Sequence, residues 1–247
     1  MGFSSTGQLT VLSREIIAQS SRSDFTVKVW QVADGTLVHS WRVPRDLFPS
    51  ALSPDGQMAA FSSCSRKEVG AVSECIQSKI KIWRIADGRK MRTIWQDGEL
   101  RAMAFSSNGQ WLAVSYCEKL GSPLICVERA IGMWDLRNGQ KIRTLPGYSS
   151  WQTLAFSPDD RWLASAGCTQ GQGCTQDEGC CFTFSPDGQL MASGGAGEIK
   201  LWRVSDGQLL HTYRGHRRAL KGLSFSPDGE LLASAGEDGI AVWKVLR

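Results

Sequence analysis

A tract of about 40 residues recurs along this chain. Its fullest copy is the last, GHRRALKGLSFSPDGELLASAGEDGIAVWKV, from Gly215 to Val245. A unit that short cannot bury its own apolar side chains, so repetition forces neighbouring units to stack, and the case for one deep catalytic pocket weakens. The phrase Phe-Ser-Pro-Asp-Gly occurs at Phe184 to Gly188 and Phe225 to Gly229. Near-copies run from Leu52 to Gly56, from Phe105 to Gly109 with Ser-Ser-Asn-Gly, and from Phe156 to Asp160 with Ser-Pro-Asp-Asp. A second phrase, aliphatic-x-aliphatic-Trp, ends at Trp30, Trp83, Trp202 and Trp243, and in looser form at Trp134 after Ile131-Gly-Met.

Within each unit the apolar residues alternate with period two, the spacing of a strand with one buried face. Leu223 and Phe225 share one parity, Pro227-Asp228-Gly229 supplies a turn, and Leu231 to Ser234 makes a second strand. Proline presets φ, aspartate bonds nearby backbone and glycine accepts positive φ, which suits the phrase to a hairpin. The third strand ends at the tryptophan. After it come Ala33-Asp34-Gly35, Ala86-Asp87-Gly88, Arg137-Asn138-Gly139 and Ser205-Asp206-Gly207, again hairpin signals. A fourth strand follows, as in Leu209 to Tyr213. Four antiparallel strands per period predict an all-β chain of blades that close into a propeller, with the recurrent tryptophan filling the gap between sheets.

These residues resemble the WD40 repeat family across nearly the whole chain: Gly215-His216, Phe225-Ser-Pro-Asp-Gly229, Leu232-Ala-Ser-Ala235 and Ile240-Ala-Val-Trp243. The resemblance implies a circular WD40-type β-propeller, no intrinsic catalysis in most members, and use as a platform for protein partners. It further implies a structural blade network, for which His216, Ser234 and Trp243 match residue by residue. The turn is one residue short, so the acidic member is Glu237 or Asp238, with Asp238 placed in the candidate network. Other units depart from the pattern: Tyr148 follows Gly147 where His216 follows Gly215, and aspartate follows the tryptophan only at Asp135. The family's partner contacts map to the rim where strands enter the channel, near Arg101, Gln152 and Lys221. With Arg217 and Arg218 these form the candidate partner-binding rim.

The repeat is uneven. Tryptophan spacings are 53, 51, 68 and 41 residues, and Phe156 to Phe184 spans 28 against 41 for Phe184 to Phe225. Five tryptophan-bearing units and one incomplete unit give five or six blades in a single domain, 1–247, with a broken repeat at about 168–181. That break is either a fused or internally deleted blade or a binding loop. Residues Gln8 to Leu12 fit two registers, the first strand of the first unit or a fourth strand completing the last blade. The second register closes the ring, and the first leaves an open edge or points to a chain truncated at its N-terminus.

Eight cysteines are present. Cys64 and Cys75, Cys117 and Cys126, and Cys168 and Cys174 bracket the segment after the second strand in three successive units, which makes them candidate disulfides across widened hairpins. Separations of 11, 9 and 6 residues do not suit zinc, which favours pairs two to four apart. Free thiols in a reducing cytosol are the other reading. Disulfides point to an extracytoplasmic home, whereas no export signal opens the chain, so compartment stays open.

A net charge of +4 with 42% hydrophobic and 21% charged residues is ordinary for a globular chain. The densest basic cluster, Arg214 to Lys221, is too short to suggest nucleic acid, and no apolar run is long enough to span a bilayer. Of the three histidines, His39 and His211 hold equivalent fourth-strand places and His216 belongs to the network, leaving no base beside a nucleophile. No phosphate-binding glycine motif meets a helix. The expectation is a noncatalytic scaffold for protein partners, without cofactor or metal, serving regulation or assembly. The alternative is an extracytoplasmic, disulfide-stapled structural or ligand-sensing propeller.

Overall fold

The computed structural model describes residues 2–3, 8–14, 25–31, 33–43, 47–69, 72–120, 126–147, 150–168, 181–195 and 197–246. Among them every ordered element is a strand, and each pairs antiparallel with its chain neighbour. The first sheet comprises β1 (Gly2–Phe3), β2 (Gln8–Arg14), β3 (Phe25–Gln31) and β4 (Leu37–Val43). The second comprises β5 (Leu47–Leu52), β6 (Met58–Val69), β7 (Val72–Arg84) and β8 (Lys90–Asp97). The third comprises β9 (Leu100–Phe105), β10 (Trp111–Leu120), β11 (Cys126–Asp135) and β12 (Gln140–Pro146). The fourth has only β13 (Ser150–Phe156) and β14 (Leu163–Cys168). The fifth has β15 (Cys181–Phe184), β16 (Leu190–Gly194), β17 (Glu198–Arg203) and β18 (Leu209–Arg214). The sixth has β19 (Leu220–Phe225), β20 (Leu231–Gly236) and β21 (Gly239–Lys244). The six sheets, one reduced to two strands, agree with the repeat count.

One register rule runs through every sheet that has a third strand. The second strand sets a residue directly opposite the tryptophan: Leu9 with Trp30, Ala59 with Trp83, Leu112 with Trp134, Met191 with Trp202 and Leu232 with Trp243. Residues Gln8 to Leu12 obey it, and that corrects both registers expected for them. They form the second strand of the first sheet, because their pairing with the Trp30 strand fills that place and short β1 adds outside them.

The Ser-Pro-Asp-Gly turns show why this phrase recurs. In the last, the Ser226 hydroxyl donates to Asp228 at 2.5 Å and accepts from the Leu231 amide at 2.9 Å, while the Glu230 amide donates to Asp228 at 3.0 Å. The same three bonds close the turns at Ser53, Ser106, Ser157 and Ser185. Four of these serines are fully buried, so each hydroxyl replaces water for groups that would otherwise go unpaired. The fourth turn carries Asp160 at φ 58° where the others have glycine, a left-handed conformation that aspartate tolerates better than most residues.

Among the described residues the second and third units gain strand. Segments bracketed by the cysteine pairs extend the second and third strands into long hairpin arms, 12 and 13 residues in β6 and β7 against 5 and 6 in β16 and β17. Cys64 joins Cys75 and Cys117 joins Cys126, each with Cα atoms 5.7 Å apart, and each bridge sits where the register slips by a bulge. Cys168 ends β14, and Cys174 lies outside the described residues.

Two compact units divide the chain, Met1–Gly147 and Tyr148–Arg247. The core of the first packs Ile80, Ile82 and Ile94 of the second sheet against Leu100, Phe105, Leu112 and Val114 of the third. The core of the second packs Ile199, Leu201 and Tyr213 of the fifth sheet against Leu220 and Leu232 of the sixth. Each fully buried side chain of this size contributes roughly 1.5–3 kcal/mol. Tyr213 also ties the two sheets by polar bonds, donating to the Lys244 carbonyl at 2.9 Å and accepting from the Leu246 amide at 3.2 Å.

Candidate functional site

The sixth sheet assembles the fullest polar arrangement. His216 lies just before β19, Ser234 on β20, Asp238 in the turn between β20 and β21, and Trp243 near the end of β21. Nδ1 of His216 meets Asp238 at 2.7 Å, Nε2 meets the Ser234 hydroxyl at 2.7 Å, and the Trp243 indole donates to that hydroxyl at 2.8 Å. An ionised carboxylate only accepts, so Nδ1 donates to Asp238, and the indole fills an acceptor site of the Ser234 hydroxyl that Nε2 also meets. Asp238 receives a further bond from the Arg217 amide at 2.6 Å. That amide bond, and then the histidine, hold its carboxyl below the ordinary carboxylate value. Glu237 points elsewhere and pairs with Arg218 and Lys221. The choice between the two acidic residues therefore falls on Asp238. Gly215 precedes the histidine for a steric reason: a Cβ there would lie 2.6 Å from the Trp243 ring.

Chemically this chain of bonds is closed. His216 is 5% exposed at its side chain, both ring nitrogens are engaged, and the serine spends its oxygen on two partners. It leaves no base free to activate a nucleophile and acts as a clamp across the sheet. The fifth sheet keeps one bond of it, from the Trp202 indole to Ser193 at 2.8 Å. The third sheet keeps none: the place two residues beyond Leu112 is Val114, and the buried Trp134 indole has no partner among the described residues. Lys141 lies 5.2 Å from the centre of the Trp134 ring and 4.7 Å from that of Tyr116, a cation–π contact that partly compensates.

The rim candidates fall in two groups, described separately. In the second unit, Arg217 and Arg218 lie in the loop before β19, and Lys221 lies on β19. Arg218 and Lys221 approach the same carboxylate, Glu237, at 3.4 Å each, and the Arg218 side chain stays 69% exposed. No acceptor meets the Arg217 guanidinium among the described residues. Gln152 belongs to β13, four residues before Phe156 as Lys221 is before Phe225. In the first unit, Arg101 takes the same place on β9 and pairs with Glu99 at 2.7 Å. Sequence reading missed Glu237 as the counter-charge of the basic loop, because a turn residue's direction is set by backbone geometry. Among the described residues no group of three or more His, Cys, Asp or Glu could hold a metal ion, and no helix is long and apolar enough to cross a membrane.

Sheets joined by hairpins, with a tryptophan opposite the second strand and a His-Ser-Trp clamp in the last, define a class of repeat protein built from propeller blades. Comparison with known proteins agrees. The sequence profile described as WD domain, G-beta repeat matches three consecutive stretches, residues 139–172, 173–203 and 207–243. Residues 139–243 of the chain thus match three successive WD40 repeats. No curated protein matches its sequence. Among solved structures it is similar to the computationally designed Ika8 protein, with a TM-score of 0.62 and 19% identity over 95% of this chain and 71% of that one. It is also similar to a chain of the mitotic checkpoint complex, with a TM-score of 0.63 and 16% identity over 99% of this chain and 89% of the other. At those identities the likeness concerns the fold: an all-β WD40-type propeller of antiparallel blades. That fold is typically noncatalytic and serves protein interaction in general.

Proposed function

We propose that residues 1–247 work as one noncatalytic interaction domain in regulation or assembly, with a partner held by the basic loop of the sixth sheet. The observation that carries this reading is the charge balance there: Arg218 and Lys221 share one carboxylate, Glu237, and the Arg217 side chain meets none among the described residues, since Asp238 is engaged by His216 and the Arg217 amide. A surplus of positive charge beside a rigid clamp favours a protein segment of opposite charge. Gln152 and Arg101 are the additional rim contacts under this reading. The test replaces Arg217, Arg218 and Lys221 by Glu and compares crosslinked partners from cell extract with those of the unchanged chain. Loss of the captured proteins with an unaltered circular dichroism spectrum is expected; an identical partner set overturns the assignment.

A second reading is favoured by the two cystine bridges of the first unit. Stable bridges belong to oxidising surroundings, which suits an extracytoplasmic structural or ligand-sensing propeller. Alkylation of the native protein isolated without reductant separates the readings. Reaction at no more than four of the eight cysteines supports this one, and reaction at all eight rejects it.

A further inference from the structure

Both cystine bridges of the first unit are half hidden in the same way. Cys75 and Cys117 are each 4% exposed, whereas their partners Cys64 and Cys126 are only half-buried. Each bridge therefore offers one sulfur to an incoming nucleophile and keeps the other inside. Strand pairing does not depend on either bond. β6 and β7 pair on both sides of the slip at Ser65 and Arg66, from Met58 with Arg84 out to Val69 with Val72. β10 and β11 pair from Trp111 with Asp135 out to Leu120 with Cys126.

Three of the four sulfurs also lie beside an acceptor that a cystine cannot use. The Cys117 sulfur is 3.4 Å from the Lys119 carbonyl oxygen, the Cys126 sulfur 3.2 Å from that of Glu128, and the Cys75 sulfur 3.8 Å from that of Gly98. A cystine sulfur has no proton to give, and a thiol has one. Opening the bridges thus leaves S–H groups already placed next to oxygens, and the arms need no rearrangement to satisfy them. The Gly98 carbonyl has two lone pairs, and the Ser78 hydroxyl donates to it at 2.7 Å, which leaves the second for Cys75.

The two hidden sulfurs flank a single connection. Gly98 and Glu99 join β8 to β9. The Gly98 amide donates to the Ile76 carbonyl at 2.9 Å, next to Cys75, and the Cys117 amide donates to the Glu99 carbonyl at 2.9 Å. Gly98 has φ 85°, and a Cβ there would strike the Cys117 carbonyl. Glu99 in turn pairs with Arg101 at 2.7 Å. Covalent restraint of Cys75 and Cys117 holds the connection that carries this ion pair.

We propose that Cys64–Cys75 and Cys117–Cys126 are exchange sites for a dithiol, and that their state sets how tightly residues 98–101 are held. One thiolate of the dithiol attacks Sγ of Cys126, the bond to Cys117 breaks, and Cys117 leaves as a thiolate that takes up a proton. The second thiolate then attacks the reagent's own sulfur in the mixed disulfide, and Cys126 leaves and is protonated. The cystine gains two electrons and two protons, and the dithiol is oxidised to a cyclic disulfide. In the other bridge Cys64 takes the attack and Cys75 leaves. Compartment governs which form is found in the cell, and exchange governs whether one form can become the other, so each can fail alone.

The test opens the oxidised full chain with dithiothreitol, closes it with oxidised glutathione, and reads the bridges by alkylation and mass spectrometry. Both should open with the circular dichroism spectrum retained and close again in the same pairs. Brief exposure to reduced glutathione, quenched with acid, should place the adduct on Cys64 and Cys126 in about tenfold excess over Cys75 and Cys117, following access. Amide hydrogen exchange at 98–101 should quicken about tenfold on opening, as local restraint is lost, with no change at Phe225–Leu231 of the second unit. The Cys64→Ser, Cys75→Ser, Cys117→Ser, Cys126→Ser protein should exchange at the fast rate with or without reductant. A collapsed spectrum on reduction, failure to close again, adducts chiefly on Cys75 or Cys117, or unchanged exchange at 98–101 overturns the proposal. A response to reductant that persists in the quadruple variant also overturns it, since the remaining cysteines would then carry it.

Discussion

The second and third sheets are held together differently from the fifth and sixth, although all four descend from one repeat pattern. In the first pair the second and third strands run 10 to 13 residues, are stapled by Cys64–Cys75 and Cys117–Cys126, and place Phe61 and Val114 where the clamp serine would be. In the other pair the same strands run 5 or 6 residues and rely on Ser193 and Ser234 to receive the tryptophan indoles. A repeat therefore specifies strand order and the tryptophan's place, while cohesion of each blade is met by apolar packing and covalent bridges or by polar bonds. The third sheet also shows what that substitution leaves behind, a buried Trp134 indole without a hydrogen-bond partner among the described residues.

Perturbing each kind of cohesion separately tests this contrast. The largest effect is expected from Ser234→Ala, which strands the Trp243 indole and Nε2 of His216 together and should cost about 3 kcal/mol in urea denaturation. Ser193→Ala strands one indole and should cost about 1 kcal/mol. Equal losses would mean that the histidine adds nothing to the clamp. Next in size is the double change Cys64→Ser, Cys75→Ser. Opening an 11-residue separation should remove about 2.8 kcal/mol by the loop-closure argument, with faster proteolysis of the β6–β7 arm and unchanged proteolysis of the second unit. Equal fragility in both units would break the contrast.

The smallest effect concerns acid. Because the Asp238 carboxyl is held below its ordinary value by the Arg217 amide and His216, the folded form binds its proton less readily than the unfolded chain. Its stabilisation is thus complete above the ordinary carboxylate value and disappears as pH falls through the folded one. Asp238→Asn should lower stability at neutral pH and flatten part of the acid limb. Other lowered carboxylates, among them Asp135 at about 2 beside Arg137, are present in both proteins, so the difference curve isolates Asp238. Parallel acid limbs would show that the clamp does not need the charge.

Much of this was readable from residues alone where the physics is local. Ser-Pro-Asp-Gly closes its turn with its own side chains, and alternation next to a tryptophan declares a strand, so five tryptophan-bearing units and one incomplete unit could be counted. His216, Ser234 and Trp243 were recognisable because they match the WD40 pattern residue by residue. Legibility ended where geometry depends on what lies across a strand. Glu237 and Asp238 are adjacent acids in one turn, and only its course sends one to His216 and the other to Arg218 and Lys221. Residues Gln8 to Leu12 carry a strand pattern that suits several partners, and pairing with the Trp30 strand decided among them. The segment bracketed by Cys64 and Cys75 reads as a loop because its composition is polar, yet its described residues pair as a long antiparallel arm that satisfies their backbone groups as strand.

By itself the sequence determined the class of fold, a count of five or six blades, and the fact that one unit is short, since these follow from periodicity and turn chemistry within a few residues. Only tertiary structure decided which partner each side chain meets: Asp238 turns to His216 and its neighbour Glu237 to Arg218 and Lys221, because pairing across a strand cannot be read along one.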